Sequence, residues 1–244
     1  MSLSPDMDTD NSLANEPPVA LTVDLVILSV RHGGLTVLLA KDEARHPGGV
    51  WGLPGGSIGE SEDVDEAADR LLFDATGLQH STWHVEQLRT YVPAVSSAPD
   101  GGSRSATIAY ISFMPVGVDP LPGSMAEAFR WWAVDDLWDD GPSLALSQSQ
   151  IILDGVDRCR SKLEYTTVAA SFLEEPFTLG ELRRVYESVW GVKLHHSNFA
   201  RKLTSSPGYL IAEFDGSPGR ASLYRRGDAS YVMPPILRPT AEPT

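Results

Sequence analysis

WGLPGGSIGESEDVDEAADRLLFDATGL, residues 51–78, is the stretch on which the reading of the whole chain turns. Pro54, Gly55 and Gly56 make a turn in which two residues without a β-carbon let the backbone approach a ligand closely. Ser61 has the chemistry of an N-cap, and Glu62, Asp63, Asp65 and Glu66 suit the positive end of a helix dipole. Val64, Ala67, Ala68, Leu71, Leu72 and Ala75 then recur at helical spacing and form one buried stripe. Gly77 follows the last of them and supplies a left-handed stop. A glycine loop, one amphipathic helix and a glycine terminator are expected here.

On the amino-terminal side, residues 20–30 (ALTVDLVILSV) and 35–40 (LTVLLA) are rich in β-branched and aliphatic side chains. Joined through His32-Gly33-Gly34, they predict a β-hairpin. On the other side, strands are expected at 83–92 and 107–113, around a Ser/Gly/Asp loop at 96–105. A third strand is expected at 129–134 (FRWWAV), followed by a turn at 135–138. Residues 147–162 predict a helix with Ile151, Ile152, Val156, Cys159 and Leu163 near one face. Strands with two interspersed helices give a mixed α/β sandwich of about 140 residues, an ordinary domain size.

Beyond residue 163 the pattern changes to short helices. Thr166 or Thr167 caps a first helix running to Leu173. Thr178, with Glu181 three residues on, has the capping-box form. Leu179, Leu182, Val185, Tyr186 and Val189 then recur at helical spacing up to Gly191. Ser197 caps a third helix over 198–205, stopped by Pro207-Gly208. Residues 209–214 and 221–225 flank a Gly/Pro turn at 215–219 and predict a hairpin. Three helices and a hairpin describe a winged helix-turn-helix.

With 244 residues, 42% hydrophobic and 21% charged, the chain has globular rather than disordered composition. One cysteine, Cys159, excludes an intramolecular disulfide framework and a cysteine zinc site, and suits a reducing compartment. No run approaches the roughly 18 apolar residues that span a bilayer, and the polar, acidic start lacks the pattern of a secretory signal. A cytoplasmic protein with no membrane partner is expected. The net charge of −14 is unevenly spread. Residues 1–165 carry ten Lys/Arg against 25 Asp/Glu, and residues 166–244 carry nine against eight. That asymmetry points to two units, of which only the second tolerates a polyanion.

Residues 51–78 resemble the Nudix hydrolase signature, G-x5-E-x7-R-E-U-x-E-E-x-G-U. Gly56, Glu62, Arg70, Leu72, Gly77 and Leu78 fall on it at the correct spacings. Leu71 stands where the signature has the Glu after Arg, and Asp74 and Ala75 stand where it has the Glu pair. In that family the helix glutamates hold magnesium. A hard divalent cation needs several oxygen ligands, and Leu and Ala offer none. The resemblance therefore implies the Nudix frame with hydrolysis lost, Glu62, Arg70 and Asp74 remaining of the box. Arg70 is expected to pair with Glu62 or Asp74. Magnesium binding through Glu60, Glu62 and Asp74 would be weak.

The segment KLEYTTVAASFLEEPFTLGELRRVYESVWGVKLHHSNFARKL, residues 162–203, extends the likeness to NrtR, the Nudix-related transcriptional regulators of NAD metabolism. The resemblance covers about residues 18–230. It implies a Nudix-like α/β/α sandwich followed by a winged helix-turn-helix, and a homodimer on a palindromic double-stranded operator. It also implies an effector that is ADP-ribose or a related NAD metabolite. The corresponding division is a disordered tail at 1–17, a sensing domain at 18–163, a DNA-binding domain at 164–232 and a loose tail at 233–244. The rival reading is a Mg-dependent ADP-ribose or nucleoside-diphosphate pyrophosphatase with an appended domain.

Within that frame Ser197, Asn198, Arg201 and Lys202 would face DNA, with Phe199 and Leu203 turned to the core. His196 either contacts phosphate or is a surface turn residue. No Cys or acidic residue accompanies His195 and His196 at ligand spacing, so no metal is expected there. Arg220, Arg225 and Arg226 on the hairpin would reach phosphates or the minor groove. For the effector, Trp51 either stacks on an adenine or belongs to the core. Gly55 and Gly56 would admit the ligand, and Arg31, Arg45 and Arg104 would pair with its phosphates or remain exposed. Trp131 and Trp132 fit the core or a dimer interface better than a ligand.

Overall fold

The computed structural model describes residues 19–77, 84–92, 105–120, 126–139, 141–145, 148–213 and 221–239. The tail at 1–17, Leu78, Trp83, Arg104, the turn at 215–219 and Arg220 lie outside the described residues. The first unit runs β1 (Ala20–Arg31), β2 (Gly34–Lys41), β3 (Trp51–Gly52), β4 (Gly55–Ser57), α1 (Val64–Thr76), β5 (His84–Tyr91), β6 (Ser105–Met114), β7 (Ala128–Ala133) and α2 (Ser149–Tyr165). Seven strands form one mixed sheet in the order β3-β2-β1-β6-β5, with β4 also on β1 and β7 also on β2. The β1–β6 pairing is parallel and the others are antiparallel.

β1 is apolar along nearly its whole length because both of its faces are covered. Val23, Leu25 and Ile27 join Ala67, Ala68, Leu71 and Leu72 of α1 in one layer. Val26, Leu28 and Val30 join Ile151, Ile152, Val156 and Cys159 of α2 in the other. The hairpin turn places His32 and Gly33 at φ of 51° and 81°, the left-handed backbone a two-residue turn requires.

Ala67, Ala68, Leu71, Leu72 and Ala75 of the expected stripe are buried and Val64 is partly so, and Gly77 closes α1 in the left-handed region at φ 74°. The cap differs. Asp63, not Ser61, is the N-cap. Its carboxylate accepts the Glu66 N–H at 2.9 Å and the Glu66 carboxylate accepts the Asp63 N–H at 2.9 Å. This reciprocal pair satisfies two donors, which a serine two residues earlier does not do.

The second unit begins with a 3-10 helix (Thr167–Phe172), capped by Thr166, where a short helix to Leu173 is expected. It continues through β8 (Phe177–Thr178), α3 (Leu179–Trp190), α4 (His196–Ser205), β9 (Leu210–Glu213) and β10 (Leu223–Arg226). Thr178 and Glu181 form the predicted capping box on α3. The hairpin strands gain a third member, giving the order β8-β10-β9. α4 starts earlier than expected: His195 is its N-cap, with no side-chain capping bond, and Ser197 lies in its first turn.

The expected boundary at 163–164 falls inside α2, and one apolar cluster runs across it from Val26 to Ile236. Trp190 Nε1 donates to the Arg160 carbonyl at 3.0 Å, and Ser188 Oγ donates to the Gly33 carbonyl at 3.0 Å. The end after Met233, expected to be loose, is anchored through Arg238. Val232 and Ile236 are buried, and their N–H groups donate to the Tyr165 and Glu164 carbonyls at 2.9 and 2.8 Å. Arg238 donates to the Trp190 carbonyl at 3.0 Å. Proline-rich composition does not show that two such hydrogen bonds await the chain. Among the described residues no helix is long and apolar enough to cross a membrane.

α2 is fastened to β5 through Glu86. Its carboxylate takes Lys162 at 2.5 Å, His84 at 3.1 Å and Arg158 at 3.2 Å. Burial pushes the Glu86 carboxyl up, but the His84 and Lys162 hydrogen bonds and charges outweigh it and hold it at about 2. A depressed carboxyl stabilises the fold above its unfolded value, near 4.5, and loses that contribution as pH falls toward 2. Glu86→Gln is therefore expected to lower the thermal midpoint at neutral pH. Midpoints measured from neutral to acid pH should draw together below about pH 4.5, the ordinary value. A gap that stays constant through the acid range would refute this assignment.

Candidate functional site

At one end of the sheet the glycine turn lies against β1 rather than standing open. Gly55 pairs with Asp24 and Gly56 with Val23. A β-carbon on Gly55 would fall on the Val23 carbonyl oxygen and the Asp24 carboxylate, and one on Gly56 would lie 2.9 Å from Leu71 Cδ2. Gly55 is thus required for the turn to pack on the strand, while a side chain at Gly56 would oblige Leu71 to shift. Beneath them is a polar hub. Asp24, 2% exposed, accepts from Arg45 Nη2 at 2.6 Å and from Gln148 Nε2 at 3.0 Å. Gln148 Oε1 accepts the Leu53 N–H at 2.5 Å, and Arg45 Nη1 donates to the Leu53 carbonyl at 3.2 Å. His46 abuts Gln148, and burial, followed by the nearby Arg45 charge, lowers its imidazole pKa. A charged residue inside an otherwise apolar strand was the available signal for this hub; nothing local pointed to Gln148.

Arg45, expected to hold ligand phosphates, is instead engaged with the buried Asp24. Arg31 does not come to this end of the sheet. It lies seven residues along β1 from Asp24, roughly 23 Å at strand rise. There its guanidinium stacks 4.5 Å from the Trp131 ring centre, pairs with Asp119 at 3.2 Å and donates to the Val118 carbonyl. Trp51 is half-buried and meets Trp132 edge-on at 5.9 Å, while Arg130 stacks 4.1 Å above Trp132. Arg130, opposite Leu39 of β2, is thus a cation on the Trp132–Trp51 pair that sequence reading missed, because only the β2–β7 pairing brings it there.

The box residues form their own polar cluster on α1 and the loop before it. Arg70 grips Glu62 with two bonds, Nε at 2.5 Å and Nη2 at 2.8 Å, and lies 3.9 Å from Asp74. Glu62 also accepts the Gly59 N–H at 2.9 Å. The Arg70 bond first, and the Gly59 N–H next, hold its carboxyl at about 2. Leu71 and Ala75 are 3% and 0% exposed and belong to the apolar layer under the sheet. Among the described residues no three His, Cys, Asp or Glu side chains form a group suited to a metal ion. At two positions where the signature has glutamates, Leu71 and Ala75 offer no oxygen to a cation.

In the second unit α4 buries Phe199 and Leu203 and leaves His196, Ser197, Asn198, Arg201 and Lys202 exposed. Phe199 packs edge-on against Tyr186 of α3 at 5.1 Å, which fixes which face of α4 is outward. Arg201 Nη2 donates to Asn198 Oδ1 at 3.4 Å, and α4 contains no acidic residue. The hairpin arginines differ from expectation. Arg225 is paired across the strands with Glu213. Arg226 Nη1 donates to Ser171 Oγ at 3.2 Å and its backbone N–H to Glu175 at 3.0 Å, both within the second unit. Sequence cannot foresee such partners, which lie as far as 55 residues away.

Comparison with known proteins matches both units. Residues 19–152 match the NUDIX domain and residues 169–225 the NrtR DNA-binding winged helix domain. The chain is 27% identical over 230 residues to the ADPR responsive transcriptional repressor NtrR of Acinetobacter baylyi, covering 91% of this chain and 88% of the relative. It is similar to the crystal structure of Shewanella oneidensis NrtR, with TM-score 0.71 and 26% identity over 89% of this chain and 100% of that one. Similarity extends to the same protein complexed with a 27mer DNA, at TM-score 0.66 and 26% identity over 89% and 98% of the two chains.

Proposed function

Because the chain belongs to the NrtR family, a Nudix domain joined to an NrtR winged helix, we propose that it is a DNA-binding transcriptional repressor of NAD biosynthesis or salvage genes. Residues 18–163 serve as its sensing domain and 164–232 as its DNA-binding domain. The observation that carries this reading is the outward face of α4, where Ser197, Asn198, Arg201 and Lys202 stand exposed with no acidic residue on the helix. Asn is able to pair with adenine and Arg with guanine, while Lys neutralises phosphate. His196 lies at the amino end of the same face. The chain's excess negative charge sits in the other unit.

The chain acts as a cytoplasmic homodimer whose two α4 helices enter successive major grooves about 34 Å apart on a palindromic operator. ADP-ribose, the effector to which the Acinetobacter relative responds, binds at the Trp51 and Gly55-Gly56 end of the sheet. It shifts operator affinity by favouring one placement of the winged units over another. Hydrolysis is lost, and Glu60, Glu62 and Asp74 recruit magnesium weakly at most. The rival reading, a pyrophosphatase, needs oxygen ligands where the buried Leu71 and Ala75 stand.

Footprinting of DNA from upstream of the organism's own NAD genes tests the DNA half of this reading. The expected pattern is a protected palindrome with half-sites about 10 base pairs apart. Uniform cleavage along every such fragment would oppose it.

A further inference from the structure

Between the two units lies a cleft of about 420 Å³, bounded by the end of α2, the 3-10 helix and the chain leaving β10. Its wall carries Lys162 from the first unit and Arg226 from the second, together with His84 and one carboxylate, Asp228. Ser171 and Thr167 add hydroxyl groups. The size falls within the roughly 300–1,000 Å³ of small-molecule sites. It is separate from the glycine-turn end of the sheet, and none of its lining residues belongs to the Nudix-like box.

The charges are unevenly neutralised. Lys162 shares the single carboxylate of Glu86 with His84 and Arg158. Arg226 is held by the neutral Ser171 hydroxyl, and among the described residues no carboxylate lies within ion-pair reach of its guanidinium. The Thr167 hydroxyl already donates to the Ala229 carbonyl at 2.7 Å, which leaves an ammonium, a guanidinium fork and the Ser171 hydroxyl to match the oxygens of a phosphate group. Tyr165 and Tyr231 line the same cleft while remaining 42% and 64% exposed, rings against which a planar base can pack.

We propose that this cleft is a second ligand site, taking a phosphate group, free or as a monoester, with Lys162 and Arg226 on the phosphate. Since one cation comes from each unit, its occupant binds best in the arrangement that brings them together. It therefore biases the placement of the winged unit.

Calorimetric titration of the full chain with inorganic phosphate and with AMP tests the site directly, without DNA. Arg226→Gln is expected to weaken binding by about tenfold or more and Arg226→Lys to retain most of it, since a bond to a charged group is lost in the first and the charge is kept in the second. ADP-ribose binding should be unchanged in both variants. Tighter binding of AMP than of phosphate identifies a mononucleotide as the ligand; equal binding identifies the phosphate ion. Absence of saturable binding for both probes at millimolar concentration would overturn the proposal. So would binding that Arg226→Gln leaves unaltered. Neither result bears on operator recognition by α4.

Discussion

Arg201→Glu is expected to reduce operator affinity by about 100-fold or more while ADP-ribose binding and thermal stability stay as they were. Arg201 is exposed on α4, and among the described residues its guanidinium has one hydrogen-bond partner, the neutral Asn198 amide. The substitution therefore removes no buried contact. It does replace a donor able to read a base or grip a phosphate with a carboxylate facing a polyanion. A bidentate base contact contributes about 1–3 kcal/mol, and in a homodimer each half-site loses one. At 1.4 kcal/mol per tenfold, two such losses already reach about 100-fold, before repulsion is added. Lys202→Ala should act differently. It should weaken binding to all sequences alike and flatten the salt dependence by about one unit of log–log slope per neutralised phosphate. Anisotropy titrations across a salt series separate the two. A normal operator affinity for Arg201→Glu would mean that α4 does not face DNA.

The second large effect concerns the core that both units share. Trp190 is 1% exposed, lies edge-on to Tyr186 at 4.9 Å, and donates from Nε1 to the Arg160 carbonyl of α2. Its own carbonyl accepts from Arg238 of the carboxy-terminal segment. Trp190→Ala removes an indole from this junction and leaves a cavity, a change that costs about 3–5 kcal/mol. Because the apolar cluster is continuous from β1 to Ile236, the loss should be felt in both units. Denaturation followed by circular dichroism and by loss of ADP-ribose binding should shift together, to lower denaturant, as one transition. Two separated transitions, with the ADP-ribose signal unmoved, would show that the units fold independently. The same continuity gives a physical route for coupling, since α2 passes from beside the Asp24 hub at Gln148 to the Thr166 cap without a break.

What was legible in the sequence was what repeats. Ala67, Leu71 and Ala75 sit at helical spacing, and β1 and β2 are rich in aliphatic and β-branched residues, so α1 and the hairpin could be placed from sequence. Phe199 and Leu203, four apart, likewise fixed the buried face of α4. Local contests were less legible. Ser61 and Asp63 both have capping side chains, and the reciprocal bond with Glu66 decides between them. β8 is two residues long and shows no period at all. Long-range partnerships left no trace: Gln148 reaches Asp24 across 124 residues, and Arg226 reaches Ser171 across 55. Hence the arginines were the weakest part of the site reading. An arginine's position says that it is charged, while its role depends on which carboxylate the fold brings near it, Asp24 for Arg45 and Glu213 for Arg225.

The most direct test is an electrophoretic shift of a fragment from upstream of the organism's own NAD genes, with and without ADP-ribose. The same preparation would be assayed for magnesium-dependent ADP-ribose hydrolysis. Specific binding that changes with ADP-ribose, without turnover, is the predicted result. Brisk hydrolysis with no specific shift at moderate salt would contradict it, and would make the chain an enzyme whose metal ligands lie elsewhere than on α1.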